Sequence, residues 1–167
     1  DRSPSRGLGD VYKRQATSKG MIICNMGKEG RKNEPLAQQK AYEAAGIPVL
    51  GVITAPGTIE GGDVAWLDAN TLAVGHTYRT NEEGIKQVTA LLKPLGVEVI
   101  SVPMPHYRGP SDVFHLMSVL SPVADNIAVV YSPLIPIVFR NELIARGFEL
   151  VEVPEAEFDS MGCNVLA

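Results

Sequence analysis

Three stretches of this chain are near copies of one phrase. GIPVLGV at 46–52, GVEVISV at 96–102 and GFELVEV at 147–153 each join a glycine to a β-branched run, and they start 50 and then 51 residues apart. Glycine at such a place closes a helix, since it takes the left-handed conformation without a Cβ penalty. The run after it reads as a strand. A period of this length marks one supersecondary unit repeated along the chain. A single copy cannot bury its own apolar face, so neighbouring copies must pack around a shared axis.

Local pattern fills in each unit. In the second, short strands at 62–67 and 71–76 flank the turn at 68–70, and a helix at 81–95 puts Ile85, Val88, Leu92 and Leu95 on one face. Asn81 reads as its N-cap, with Glu82 and Glu83 in the first turn. The next unit repeats the order: strands at 113–119 and 127–131, a turn at 124–126, and a helix at 136–146 opened by Pro136. The first unit shows a buried strand at 21–26, a charged loop at 27–33 and a helix at 34–45, with Leu36, Ala37, Ala41 and Ala44 as its apolar face. A further unit begins at Gly162. Residues 1–15 follow neither period and are set apart as a foreign or disordered segment, which leaves 16–167 as the domain.

Composition excludes several partners. With 45% hydrophobic and 20% charged residues, the chain can bury a core. A net charge of −4 supplies no basic field for nucleic acid. The longest apolar run, 127–139, is broken by Pro133 and Pro136 and is shorter than the ~20 residues of a membrane span, so no membrane contact is expected. Cys24 and Cys163 form neither a metal-type pair nor a disulfide framework, and the expected location is the cytoplasm.

The segment APGTIEGGDV at 55–64 concentrates polar chemistry. Its Gly-Gly pair lets the backbone approach a ligand while Glu60 and Asp63 confront it, although a plain surface turn reads equally well from this motif alone. The repeat bears on that choice. Segments 53–61, 103–112 and 154–161 each link a phrase to the next hairpin and deliver residues to one end of the axis. Glu60, His115 and the Cys163/Asn164 pair therefore come from equivalent places, a constellation suited to nucleophilic chemistry. Singly, His115 reads as a core histidine and Cys163 as a small buried hydrophobe. His76, in a strand, and His106, in a Pro-rich loop, read as surface or structural groups, and Trp66 as a packed aromatic.

Taken together, ITAPGTIEGGDV (53–64), VGHTYRTNEEG (74–84), FHLMS (114–118) and GCNVLA (162–167) resemble, in order, the motifs of the guanidino-group-modifying (amidinotransferase) superfamily. The nearest likeness is to the dimethylarginine dimethylaminohydrolases and arginine deiminases. The resemblance covers 16–167 and implies the pentein fold, an α/β propeller of repeated hairpin, helix and strand units, here an incomplete ring. It implies hydrolysis of a guanidino C–N bond in arginine or a methylated arginine, through a covalent cysteine thiouronium, to citrulline and ammonia or an alkylamine. No metal and no organic cofactor are implied.

By the same resemblance, Glu60 matches the acid that holds the substrate guanidinium, His115 the general acid/base, and Asp63 a second guanidinium-side acid. Arg79 and Arg31 resemble the arginines that grip the substrate carboxylate. Carboxylates pair well with a planar cation, an Arg fork suits a carboxylate, and imidazole can protonate a leaving amine and then activate water. The family's nucleophilic cysteine follows a GG-x-x-C segment near its C-terminus, so it is expected beyond residue 167, with the fragment alone inactive. Cys163 is expected as a neighbour of the site, its use as nucleophile being the lesser alternative. Met117 stands where the deiminases carry an acid and the dimethylarginine hydrolases a basic residue, which leaves the guanidine substrate open. An incomplete ring exposes apolar edges, and a homo-oligomer stays open. The alternative class is a non-catalytic propeller that binds an arginine-like metabolite or a protein partner in the same cleft.

Overall fold

Three three-stranded sheets follow one another along the chain, all built alike. The computed structural model describes residues 14–17, 19–112 and 114–165. In each unit two strands form an antiparallel hairpin, a helix crosses over, and a third strand lies parallel to the second. The first unit is β1 (Arg14–Thr17), β2 (Gly20–Ile23), α1 (Glu34–Ala44) and β3 (Val49–Val52). The second is β4 (Val64–Asp68), β5 (Thr71–His76), α2 (Glu82–Leu92) and β6 (Glu98–Pro103). The third is β7 (Leu120–Ala124), β8 (Ile127–Val130), α3 (Ile137–Ala145) and β9 (Glu149–Glu152), with a short α4 (Glu155–Phe158) after it. Gly46, Gly96 and Gly147 stand at φ of 68°, 72° and 82°, each turning the chain from a crossover helix into the parallel strand. The repeated phrase is therefore the repeat of the fold.

Three expectations shift. Arg14 and Gln15, set outside the domain by their composition, open β1 and pair with Ile23 and Ile22; residues 1–13 lie outside the described residues. The strand expected at 113–119 does not form, because Leu116–Ser118 makes a 3-10 turn and the hairpin strand is β7. Pro122 is tolerated within β7 because β7 is the edge of its sheet, where a missing N–H costs no ladder bond. Helix α1 buries Pro35 and Tyr42, while Leu36 is 58% exposed. Positions 35 and 42 are seven residues apart, two helical turns on one line, and an aromatic ring there offers more area than a row of alanine methyls.

The middle sheet holds the three units together. Along β4 and β5 the side chains alternate: Val64, Leu72 and Val74 enter a core with Ile22, Ile85 and Leu92. Their neighbours Ala65, Leu67 and Ala73 enter a second core with Leu116, Leu120 and Leu143. One core thus joins the first unit to the second, and the other joins the second to the third. Leu72, Leu92, Leu116, Leu120 and Leu143 are fully buried, and each such side chain contributes about 1.5–3 kcal/mol. Among the described residues, no helix is long and apolar enough to cross a membrane.

Candidate active site

Two 3-10 turns, Gly61–Asp63 and Leu116–Ser118, enter the hairpins of the second and third units. The residue before each is in the same extended conformation: Glu60 at φ −116°, ψ 141° and His115 at φ −114°, ψ 168°. The fold therefore puts Glu60 and His115 at equivalent positions of adjacent units, as the repeat requires. It also brings them together. Glu60 Oε2 lies 3.5 Å from His115 Nε2, and both side chains are buried.

Glu60 is held from three sides. Its Oε1 accepts from the Lys28 N–H at 3.2 Å and faces Arg79 Nη1 at 3.4 Å, and its own N–H donates to Thr80 Oγ1 at 3.1 Å. Arg79 therefore reaches the site, where its guanidinium pairs with Glu60. Arg31 pairs with Glu34 at the start of α1, at 3.1 Å, and no described contact joins it to Glu60 or His115.

Asp63 departs from its expected place. Its side chain has no exposed area and lines neither cleft described below. Oδ2 accepts from the hydroxyls of Thr77 and Thr80, both at 2.7 Å, and Oδ1 accepts from the Leu116 N–H at 3.1 Å. His115 Nδ1 also lies 3.1 Å from Oδ1, off the line of a hydrogen bond. Both Asp63 oxygens are therefore engaged by protein donors. The imidazole thus sits between two buried carboxylates, one opposite each nitrogen. Its Cγ and Cδ2 lie against Gly62, where a Cβ would stand 2.8 Å from Cδ2 and 3.0 Å from Cγ.

Thr77 and Thr80 were invisible as site residues in the sequence. The signal was there at second order, because the β4/β5 register pairs Val64 with Val74 and so carries the end of β5 past Asp63.

Two clefts adjoin this group and share Asp112 and Phe114 as a common wall. One, of about 470 Å³, is lined by Arg79 together with His76, Tyr78, Met104 and His106. His76 and His106 are exposed, as expected, yet they share this cleft with Arg79, and the Tyr78 hydroxyl meets His106 Nδ1 at 2.6 Å. The other, of about 320 Å³, is lined by His115 with Tyr107, Met117, Phe158 and Asn164.

Neither thiol is poised to react. Burial, helped by the Glu60 charge, pushes the Cys24 thiol up to about 12. Burial, then the Glu152 charge, pushes Cys163 up to about 11. Cys163 lies inside the third unit, its carbonyl accepting from the Ser121 hydroxyl, while the adjacent Asn164 lines the cleft. The convergence expected of Glu60, His115 and Cys163 is therefore met by the first two alone.

Repeated hairpin, helix and strand units that present a buried acid and a histidine from matching turns define an α/β propeller of the pentein class. The chain belongs to the dimethylarginine dimethylaminohydrolase family: the family described as "N,N dimethylarginine dimethylhydrolase, eukaryotic" matches residues 12–167. The N(G),N(G)-dimethylarginine dimethylaminohydrolase of Streptomyces coelicolor is 34% identical over 113 residues, which are 68% of this chain and 41% of that protein. The enzyme of the same name from Pseudomonas aeruginosa is 26% identical over 147 residues, 88% of this chain and 53% of that protein. A solved structure of the Pseudomonas enzyme, a cysteine-to-serine mutant complexed with citrulline, superposes with a TM-score of 0.77 at 27% identity, over 93% of this chain and 56% of that one. The N-terminal domain of the cyanobacterial arginine dihydrolase ArgZ shares the fold, with a TM-score of 0.76 at 18% identity over 92% of this chain and 55% of that one. The chain spans about half the length of the curated relatives it matches.

Proposed function

We propose that this chain carries the acid-base part of a cysteine-dependent amidinohydrolase of the dimethylargininase or arginine deiminase type. The observation that carries the reading is the buried Glu60 and His115 pair, 3.5 Å apart and supplied by matching turns of adjacent units. Membership of the family and the citrulline complex of the Pseudomonas relative support a guanidine substrate.

In the proposed reaction a thiolate adds to the guanidinium carbon, forming a C–S bond. The C–N bond then breaks as protonated His115 gives its proton to the departing ammonia or alkylamine. His115, now a base, takes a proton from water as the water oxygen adds to the thiouronium carbon. The C–S bond then breaks as the remaining O–H proton passes to solvent, where it protonates the departed amine; this releases the ureido product and restores the thiolate. Glu60 stabilises the cationic guanidinium in a setting where a charge-assisted bond is strong. A bound guanidinium takes over the place that Arg79 holds at Glu60, and the Arg79 fork turns to the substrate carboxylate in the larger cleft. No substrate contact is assigned to Arg31, paired with Glu34, or to Asp63, held by Thr77, Thr80 and the Leu116 N–H. The thiolate is one that neither Cys24 nor Cys163 provides, since both are buried and hold their protons far above neutral pH.

Calorimetric titration of L-arginine and asymmetric dimethyl-L-arginine into the 167-residue chain tests this. Saturable binding is expected, weaker by about tenfold or more in Arg79→Ala and lost in Glu60→Gln, as the loss of a charged hydrogen bond predicts. Equal binding by wild type and Glu60→Gln, or arginine held no better than norleucine, would remove the proposal.

A further inference from the structure

We infer that Asp63 and Thr80 are positioning residues for His115: the Asp63 carboxylate keeps the imidazole proton on Nδ1, and the Thr80 hydroxyl locks that carboxylate to the backbone of Glu60. The inference rests on the proposed role of His115 only for its consequence in catalysis, because the geometry behind it involves no ligand.

The Thr80 hydroxyl has one proton and gives it to Asp63 Oδ2 at 2.7 Å, while its lone pair takes the Glu60 N–H at 3.1 Å. That one atom therefore spans the two carboxylates flanking the ring, and Thr80 is fully buried. Thr77 braces the arrangement, giving its proton to the same Oδ2 at 2.7 Å and accepting the N–H groups of Arg79 and Thr80 at 3.0 and 3.1 Å. On the other side Asp63 Oδ1 takes the Leu116 N–H, so the residue after His115 is tied to the same carboxylate. Room is equally restricted. A Cβ on Gly75 would stand 3.2 Å from Asp63 Oδ1 and 3.0 Å from Leu116 Cβ, and one on Gly62 would meet the ring itself.

A bare Nδ1 lone pair, 3.1 Å from a buried carboxylate oxygen, would be repelled by it in a setting that screens charge weakly. A proton on Nδ1 turns that repulsion into attraction even though the contact is bent. Across the ring Glu60 Oε2 stands farther off, at 3.5 Å, and the charge of its carboxylate is partly met by the Lys28 N–H and Arg79 at Oε1. Nε2 is thus the nitrogen left to take up and release a proton. Asp63 and Thr80 line neither cleft, so any effect they have on chemistry passes through His115 and Glu60.

The test is long-range proton–nitrogen NMR of the imidazoles in the 167-residue chain, at a pH where they are neutral. The chain has three histidines, so His115→Gln assigns the signal by its loss. Wild type is expected to show His115 as a single tautomer protonated on Nδ1. Thr80→Ser, which keeps the hydroxyl, retains that pattern. Thr80→Val and Asp63→Asn collapse the difference between the two ring nitrogens, with His76 and His106 unchanged. A His115 tautomer unaltered by Asp63→Asn in a folded chain overturns the inference. So does a Thr80→Ser spectrum as altered as that of Thr80→Val, a comparison that decides the matter even if Asp63→Asn does not fold. No substrate enters the measurement, so a failure to bind arginine would count against the proposed reaction and leave this inference standing.

Discussion

The His115 ring lies on a residue that has no side chain. Gly62 is buried, and a methyl there would stand 2.8 Å from Cδ2 and 3.0 Å from Cγ of the imidazole, closer than real Cβ contacts allow. Gly62→Ala is expected to lower stability by about 1–3 kcal/mol, the range for an overpacked core, and to displace the ring from Glu60. Urea denaturation and the His115 resonances check this together, and an unmoved ring with unchanged stability would contradict it. At this scale the sequence was legible where position in the repeat carried the information. Glu60 and His115 could be named because two copies of one unit make them equivalent. The motif records that an acid stands at position 63 but not where its oxygens point, and here the hydroxyls of Thr77, just past β5, and Thr80, in the loop before α2, bond to one of them.

Among the elements, α2 does more than cross over its sheet. Its N-cap, Asn81, accepts the Gly84 N–H at 2.8 Å and the Thr58 N–H at 3.0 Å through Oδ1, and donates from Nδ2 to the Pro56 carbonyl at 2.8 Å. The cap thereby fastens the segment leading to Glu60 onto the helix. Asn81→Ala should cost about 1 kcal/mol for the cap alone and more for the loop bonds. Asn81→Asp, which keeps the acceptor, should recover part of the loss. Thermal denaturation and amide exchange at Thr58 and Gly84 provide the readout, and equal stability of the Ala and Asp variants would contradict the assignment. Helix α2 was legible because its apolar residues recur at 85, 88 and 92, with the cap in front. Helix α1 was legible in its extent but not in its buried face, since its alanines mimic an apolar stripe while the contact is made by Pro35 and Tyr42. The hairpin strand β7 was misplaced by several residues because the apolar run before it serves the site turn.

For the molecule as a whole, the two cores share one sheet, and the one between the first and second units buries a cysteine at high cost to the thiolate. Cys24, in the core between the first and second units, keeps its proton up to about 12 in the folded chain against 9.0 ordinarily. Between those values the unfolded chain has lost a proton that the folded chain still holds, so raising the pH draws the equilibrium toward unfolding. The stabilisation is whole below pH 9.0 and falls by at most about 1.4 kcal/mol per pH unit per thiol above it. Urea midpoints should therefore drop on going above this pH, and the drop should shrink in Cys24→Ala; an equal drop in both chains would contradict the assignment. The three-unit order was readable from the glycine phrases alone, whereas the division of labour between the faces of β4 and β5 needed the packing, because both faces are apolar and the strand pattern shows no polar side.

The matching backbone conformations at Glu60 and His115 have a consequence for how such chemistry can arise. When a unit is duplicated, the copy inherits the turn, its direction and its distance from the axis, so the meeting point exists before any reactive side chain occupies it. Exchanging one residue per copy is then enough to assemble a mixed set of acid and imidazole, and the separation between them is inherited from the angle at which neighbouring units wedge together. Evolution can revise the identity of each group independently, but it can alter their spacing only by reshaping the apolar seam they share.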